Sequence, residues 1–241
     1  MIFLLQQMLF FSMPLLVVAV GGLYAEKSGI VNIALEGKMI FGAFVGILFL
    51  FFFHEQVSGQ LALVIAMLLG TAAGMLLGLM HAYASVTMQA NQAISGMAIN
   101  ILAPAIAVFV AKEVTPSELI PFRQRFILPT VPVLSEIPII GPVFFERAYI
   151  TTYVAIAVFL VSLFVVKKTR FGLRLRASGE HPHALDAAGV KVGRIRYASV
   201  LISGGLAGLG GIVFFIPTSV EFSANVSGYG FLAIAVLVFS K

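Results

Sequence analysis

The chain has 241 residues, of which 60% are apolar and only 10% are Asp, Glu, Lys or Arg, and its mean hydropathy is +1.07. A soluble domain carries about 25% charged residues and could not bury this much apolar surface. The composition therefore excludes a secreted enzyme, a cytosolic domain and a disordered tail, and it predicts a protein that lies in a lipid bilayer. The net charge of +5 then indicates basic cytoplasmic loops rather than a nucleic-acid partner.

Apolar runs along the chain predict an all-α polytopic membrane protein, with a single transmembrane domain over 1–241. Six runs approach the roughly 20 residues that a spanning helix needs. They are 3–23, 39–53, 61–80, 93–111, 148–166 and 198–216. The second is short, and an extension backwards into the preceding polar segment would complete it. A seventh run, 231–239, would rise only about 13 Å, which predicts a re-entrant element or a chain that is incomplete at its C-terminus.

The distribution of Lys and Arg predicts the orientation. Segment 167–197 holds eight basic and two acidic residues, so its net charge is +6, and the remainder of the chain is slightly acidic. By the positive-inside rule this loop is cytoplasmic; a lipid- or phosphate-binding patch is the alternative. Alternation then puts the proline-rich loop 112–147 outside, where we expect short helices and turns, and the N-terminus outside. It puts 24–38 on the inner side and His81 at the inner interface.

Small residues recur every fourth position in two of the predicted spans. Gly70, Gly74 and Gly78 do so in the third span, and Gly204 and Gly208 in the sixth. This spacing allows two helix backbones to approach closely. Static packing of the bundle is the simpler interpretation, and a helix that slides during transport is the alternative.

Catalytic and cofactor chemistry has no support in the sequence. The chain lacks a GxxxxGK[ST] nucleotide loop and any cysteine, and its four histidines are scattered (His54, His81, His181 and His183). A Ser/His/Asp triad has no buried orienting carboxylate. We therefore predict no catalytic residues, no metal and no bound cofactor.

A short helix is predicted inside the basic loop. Pro182 is placed to open it and Gly189 to close it, which gives about two turns, roughly 10 Å. A rigid helix at the inner membrane face is suited to docking in a groove of another protein. A surface helix that only connects two spans is the alternative.

Two polar stretches interrupt the apolar pattern. In 22–38, Asn32 and Glu36 would share a face if this part is helical, and Gly29 and Gly37 could break the helix. The second stretch is NQAISGMAIN, 91–100. Polar groups within a bundle must be paired or line water, so the two stretches predict a substrate path, with a solvated loop and helix–helix hydrogen bonding as alternatives. The predicted path residues are Asn32, Glu36, Gly37, Asn91, Gln92, Ser95 and Asn100.

Several segments in order resemble the permease subunits of bacterial ABC importers for nucleosides and simple sugars, which are related to branched-chain amino-acid permeases. The matching pieces are AEKSGIVNIALEG (25–37), ANQAISG (90–96), KTRFGLRLRA (168–177), GEHP (179–182), AAGV (187–190) and SGGLAGLGG (203–211). The NQAISG form is most similar to the nucleoside type.

The resemblance implies partners and a location. The chain would lie in the bacterial plasma membrane with an ATP-binding-cassette ATPase subunit, a second permease chain and an extracytoplasmic substrate-binding protein, which would deliver substrate near 112–147. The coupling contact with the ATPase would involve Gly179, Glu180, Pro182, Ala187, Ala188, Gly189 and Val190. Because family members continue beyond the final FSK, the resemblance also predicts a C-terminally incomplete chain.

Other functions remain open at this point. An ion-coupled secondary carrier would need a carboxylate in the membrane, for which Glu26 and Glu36 are the candidates. A remnant that does not transport and serves in assembly is a further alternative. Branched-chain amino acids are an alternative substrate class.

Overall fold

A computed structural model describes residues 2–57, 59–122, 126–128, 140–146 and 148–239. The described helices and strands are α1 (Ile2–Lys27), α2 (Leu35–Phe52), α3 (Gly59–Ala82), α4 (Gln92–Val114), β1 (Ile120–Pro121), α5 (Ile140–Phe145), α6 (Ile150–Lys168), α7 (Arg170–Glu180), α8 (Pro182–Ala187), α9 (Val192–Thr218), β2 (Glu221–Phe222) and α10 (Tyr229–Phe239). A single π-helical stretch, Tyr83–Thr87, continues α3.

The predicted all-α membrane fold is confirmed. In the described part, six helices are long and apolar enough to cross a membrane: α1, α2, α3, α4, α6 and α9. Each corresponds to one predicted span, and α2 begins at Leu35, so the second span does extend back into the polar segment. The seventh apolar run forms α10, with 11 residues.

Helix α9 lies at the centre of the bundle, where it packs against α1, α2 and α3. Its glycines allow close approach: a Cβ built on Gly74 would lie 2.9 Å from the Cα of Gly208, and one built on Gly70 would lie 2.8 Å from the carbonyl oxygen of Gly42. The predicted small-residue packing is therefore present, with α3, α2 and α9 in backbone contact. Large apolar side chains such as Ile101 and Phe109 are exposed on the outer faces, as expected for contact with lipid.

The two ends of the bundle are distinct. At the end that we call the outer end, β1 pairs antiparallel with β2, with Ile120 opposite Phe222, and the loop between α2 and α3 lies there too. Of the predicted external loop 112–147, the described residues form the end of α4, β1, α5 and irregular segments; its residues 123–125, 129–139 and 147 lie outside the described residues. At the inner end lie α7, α8 and the segment between α1 and α2.

The predicted loop 167–197 is more helical than expected. The structure has the short helix from Pro182, and before it an 11-residue helix, α7, that the sequence analysis missed. The hydroxyl oxygen of Thr169 accepts a hydrogen bond from the amide of Gly172 and so caps α7. Leu175 and Ser178 lie buried on one face, and the arginines lie on the others. This amphipathic pattern is short, and the high charge of the segment obscured it.

Candidate functional site

A non-helical segment of seven residues, linker 28–34, joins α1 to α2 at the inner end of the bundle. Its second residue is Gly29, whose φ of +82° is a left-handed conformation that favours glycine and ends α1. Ser28 and Asn32 are buried within it. Asn32 lies in this linker and not in a helix, so the condition under which it would share a helix face with Glu36 is not met.

Asn32 is held in a buried polar network with a lysine that sequence analysis did not select. The ammonium of Lys38 donates to Asn32 Oδ1 at 2.7 Å, and Asn32 Nδ2 donates to Ser203 Oγ at 2.7 Å. Lys38 is fully buried, in the first turn of α2. The sequence does offer a signal for Lys38, because this lysine lies where the second apolar span extends back into the polar segment.

Helix α4 bonds directly to the linker and to α2. Gln92 Oε1 accepts from the amide of Val31 at 2.8 Å. Asn100 Oδ1 accepts from the amide of Gly37 at 2.8 Å, and Asn100 Nδ2 donates to the carbonyl of Ile33 at 2.9 Å. A Cβ on Gly37 would lie 2.7 Å from the carbonyl oxygen of Ile99. Gly37 is therefore helical and permits close packing, whereas the sequence analysis gave it a helix-breaking role.

Ser95 and Asn91 have separate roles. The hydroxyl of Ser95 lies 3.0 Å from His81 Nδ1, and His81 Nε2 lies 3.4 Å from the carbonyl of Val31. His81 is fully buried in the bundle, and its predicted position at the inner interface stays a prediction. Asn91 is exposed, and its Oδ1 accepts from the amides of Ala93 and Ile94, which makes it the N-cap of α4.

Glu36 binds the start of α10. Its two carboxylate oxygens accept from the amides of Gly228 at 2.9 Å and Gly230 at 2.6 Å. A carboxylate at this position satisfies amides that a helix N-terminus leaves unpaired and interacts favourably with the helix dipole. Glu36 therefore joins α2 to α10.

Among the cavities of the described residues, two lie at opposite ends of the molecule. The inner one, about 170 Å³, lies between α1, linker 28–34 and α10. Its lining residues are Gly22, Glu26, Val31, Asn32, Ile234, Leu237 and Val238. The outer one, about 770 Å³, lies between β1, the end of α9 and the segment around Tyr149, with Phe122, Phe126 and Glu221 in its wall. Of the predicted path residues, Asn32 is the only one among the described residues that lines either cavity.

The predicted docking helix is present as α8. Pro182 is its first residue, and Gly189 follows it at φ +78°, with its amide donating to the carbonyl of Asp186. Leu185 is the buried residue of this helix, and Ala187, Ala188 and Gly189 are exposed, as is Glu180 before it. The helix therefore presents most of its surface away from the bundle.

Direct contacts join the α7–α8 region to linker 28–34. Arg196 of α9 donates from Nε to the carbonyl of Ser28 at 3.2 Å and from Nη2 to the carbonyl of Ser178 at 3.3 Å. A Cβ on Gly179 would lie 2.6 Å from the carbonyl oxygen of Lys27. One end of the linker thus touches α7, and the other end carries Asn32.

Comparison with known proteins defines the class. The family model described as "Branched-chain amino acid transport system / permease component" matches residues 4–241, and the chain belongs to this family. With its six apolar helices, it is a multi-pass plasma-membrane protein of the ABC importer permease type.

Named relatives are similar over nearly the whole chain. The chain is 42% identical to the guanosine ABC transporter permease protein NupQ of Bacillus subtilis, over 97% of this chain and 73% of the relative. It is 37% identical to the nucleoside ABC transporter permease protein NupC of Lactococcus lactis, over 97% and 74%. It is 31% identical to the putative glucose ABC transporter permease protein TsgC13 of Haloferax volcanii, over 94% and 67%. No solved structure matches the chain significantly.

Proposed function

We propose that this chain is the membrane-spanning subunit of an importer for nucleosides, driven by ATP hydrolysis on a separate subunit. The observation that carries this proposal is the similarity, over 97% of the chain, to two permeases named for guanosine and nucleosides. The chemistry of the inner cavity agrees with it, because a carboxamide and a carboxylate side chain there can pair with the donors and acceptors of a base or a ribose.

The path residues divide by what they contact. Asn32 lines the inner cavity and is the residue that we assign to the substrate. Gln92, Asn100 and Gly37 hold the linker and α2 against α4, so we assign them to the shape of the path. We also assign Ser95 to the shape of the path, through its contact with His81. We assign Glu36 to the attachment of α10, and Asn91 to the start of α4.

We assign the contact with the ATPase subunit to the exposed surface of α8 and its flanks. It comprises Gly179, Glu180, Pro182, Ala187, Ala188, Gly189 and Val190. A short helix anchored by one buried leucine and otherwise exposed fits a groove in a partner. ATP and Mg²⁺ would bind to that partner.

Linker 28–34 is the connection that we propose between the ATPase and the path. Arg196 and Gly179 contact its first residues, and Asn32 lies near its other end. A displacement of α7 and α8 would therefore reach Asn32 through a short segment whose backbone is bonded along its length.

Two further partners complete the proposed importer. A second permease chain would enclose the path together with this one. A substrate-binding protein would release the nucleoside at the outer end, where the 770 Å³ cavity opens beside β1 and β2. This volume is within the range of roughly 300–1,000 Å³ that is typical of small-molecule sites.

Reconstitution tests the proposal. The chain is co-expressed with its second permease, ATPase and binding protein, and uptake of labelled guanosine into proteoliposomes is measured with and without ATP. We expect uptake that requires ATP and is inhibited by unlabelled nucleosides. Inhibition by glucose or leucine instead would give a sugar or branched-chain amino-acid importer, and uptake driven by an ion gradient without ATP would give a secondary carrier.

A further inference from the structure

Lys38 places a lysine amine inside a membrane-spanning helix, without a carboxylate partner among the described residues. Its side chain is fully buried, and the ion pairs of the described part involve other residues. The nearest acidic residue along α2, Glu36, bonds to the amides of Gly228 and Gly230. Ionisable residues in spanning segments are costly and usually functional, so the hydrogen bond from Lys38 Nζ to Asn32 Oδ1 indicates its role.

The chemistry of that contact fixes the orientation of the Asn32 carboxamide. As an ammonium, Lys38 has three donors and no acceptor. The group of Asn32 that faces the ammonium is then Oδ1, and Nδ2 faces Ser203. Ser203 could not impose this order alone, because a hydroxyl both donates and accepts.

A fixed carboxamide can distinguish ligands by the order of their donors and acceptors. After the bonds to Lys38 and Ser203, Asn32 retains one lone pair on Oδ1 and one N–H on Nδ2, and it lines the inner cavity. Guanosine carries the acceptor O6 beside the donor N1–H, and adenosine carries the donor N6 beside the acceptor N1. A carboxamide held in one orientation matches one of these edges and opposes the other.

We propose that Lys38 is a positioning residue that fixes the carboxamide of Asn32 and so sets the discrimination between nucleosides whose base edges have opposite donor–acceptor order. This inference rests on the proposed function. The cavity of about 170 Å³ is below the roughly 300 Å³ of common ligand sites, so it would receive one edge of the base in this conformation.

Lys38→Gln is the decisive variant. Glutamine nearly matches lysine in length and can still bond to Asn32, but it can donate or accept and therefore permits both orientations of the carboxamide. In the reconstituted complex, the KM of ATP-dependent uptake is measured for guanosine and for adenosine. We expect the ratio of the two KM values to move about tenfold closer to one than in wild type. The maximal rate for the preferred nucleoside should stay within about twofold of wild type.

Two further variants separate positioning from stability. Lys38→Arg keeps a side chain that only donates, so the KM ratio should be retained. Ser203→Ala removes the other partner of Asn32 but leaves Lys38 in place, so it should lower the melting temperature of the complex and leave the ratio near wild type.

The outcomes are distinct. A KM ratio unchanged in Lys38→Gln, or equal losses of uptake for both nucleosides, would show that Lys38 is only structural and would overturn the inference while the proposed function stands. If Lys38→Gln does not assemble, Lys38→Met is measured in its place, with the same expected loss of discrimination. Absence of nucleoside uptake by the wild-type complex would overturn the proposed function and this inference with it.

Discussion

Replacing Gly179 by alanine should separate α7 from linker 28–34 and weaken the coupling of ATP hydrolysis to uptake. A Cβ at this position would lie 2.6 Å from the carbonyl oxygen of Lys27 and 3.2 Å from the amide nitrogen of Gly29. Both are backbone atoms, and Arg196 holds the adjacent carbonyl of Ser28. Because these atoms cannot rotate away, α7 must move by about 0.8 Å to restore ordinary van der Waals contact.

The size of the effect follows from that overlap. Inserting one methyl group into a close backbone contact costs about 1–3 kcal/mol. If this strain acts on the conformation in which α7 rests on the linker, the population of that conformation falls by about 5- to 150-fold. We therefore expect the number of ATP molecules hydrolysed per nucleoside imported to rise at least about fivefold, measured in proteoliposomes with the ATPase subunit present.

Gly193→Ala is the matched control. Gly193 also lies at the inner end, in α9, and a Cβ there would have Val86 Cγ1 at 3.9 Å as its nearest neighbour. This alanine fits without displacement, so the ATP-to-nucleoside ratio should equal that of wild type. An equal ratio in Gly179→Ala, at equal yield of assembled complex, would refute the reasoning that α7 transmits force through this contact.

Three further substitutions test other parts of the site. Gly189→Val, at φ +78° with open space around it, should cost about 1–2 kcal/mol in the local backbone and lower nucleoside-stimulated ATP hydrolysis, measured on the reconstituted complex. Asn100→Leu should leave the Gly37 amide and the Ile33 carbonyl unpaired, at about 1–3 kcal/mol each, and lower the melting temperature of the purified complex. Glu36→Gln should weaken the attachment of α10 by about 1–2 kcal/mol while ATP-driven uptake in vesicles persists.

Each of these substitutions has a control or a contrary outcome. Gly59→Val introduces the same kind of backbone strain, at φ +67° and in open space at the outer end, and should leave ATP hydrolysis intact. Ile101→Ala changes a side chain that is 72% exposed beside Asn100, so its melting temperature should stay close to wild type. A secondary carrier would be supported instead by two results together. An ion gradient would drive uptake in wild type, and Glu36→Gln would abolish all uptake.

The spans and the short helix α8 could be predicted because each depends on local sequence. Apolar runs of the right length identify helices that cross a bilayer, and this identification does not depend on which helices pack beside them. Likewise Pro182 and Gly189 define α8 through their own backbone preferences. The glycines of α3 and α9 were also informative, because small residues at every fourth position of a helix in a bundle allow close approach of another helix backbone.

The candidate site was only partly predictable because its bonds join residues far apart in the sequence. Asn32 was selected as a polar residue, but its partner Ser203 is 171 positions away. Glu36 was assigned to the path because nothing local shows that it binds amides 192 and 194 positions further on. Lys38 was passed over because a lysine near the end of a predicted span usually reaches the membrane surface, whereas here the span begins earlier and buries it.

The bonding of linker 28–34 explains why it can act as a rigid connection. Irregular backbone inside a bundle is tolerated only where its polar groups find partners, and here the partners come from four different helices. They are Gln92 and Asn100 of α4, His81 of α3, Ser178 of α7 and Arg196 of α9. To bend at its middle, the linker would have to break several of these bonds together, so a displacement applied at Ser28 is carried to Asn32. Coupling at Arg196 and substrate discrimination at Lys38 would then be exerted on the same short piece of backbone.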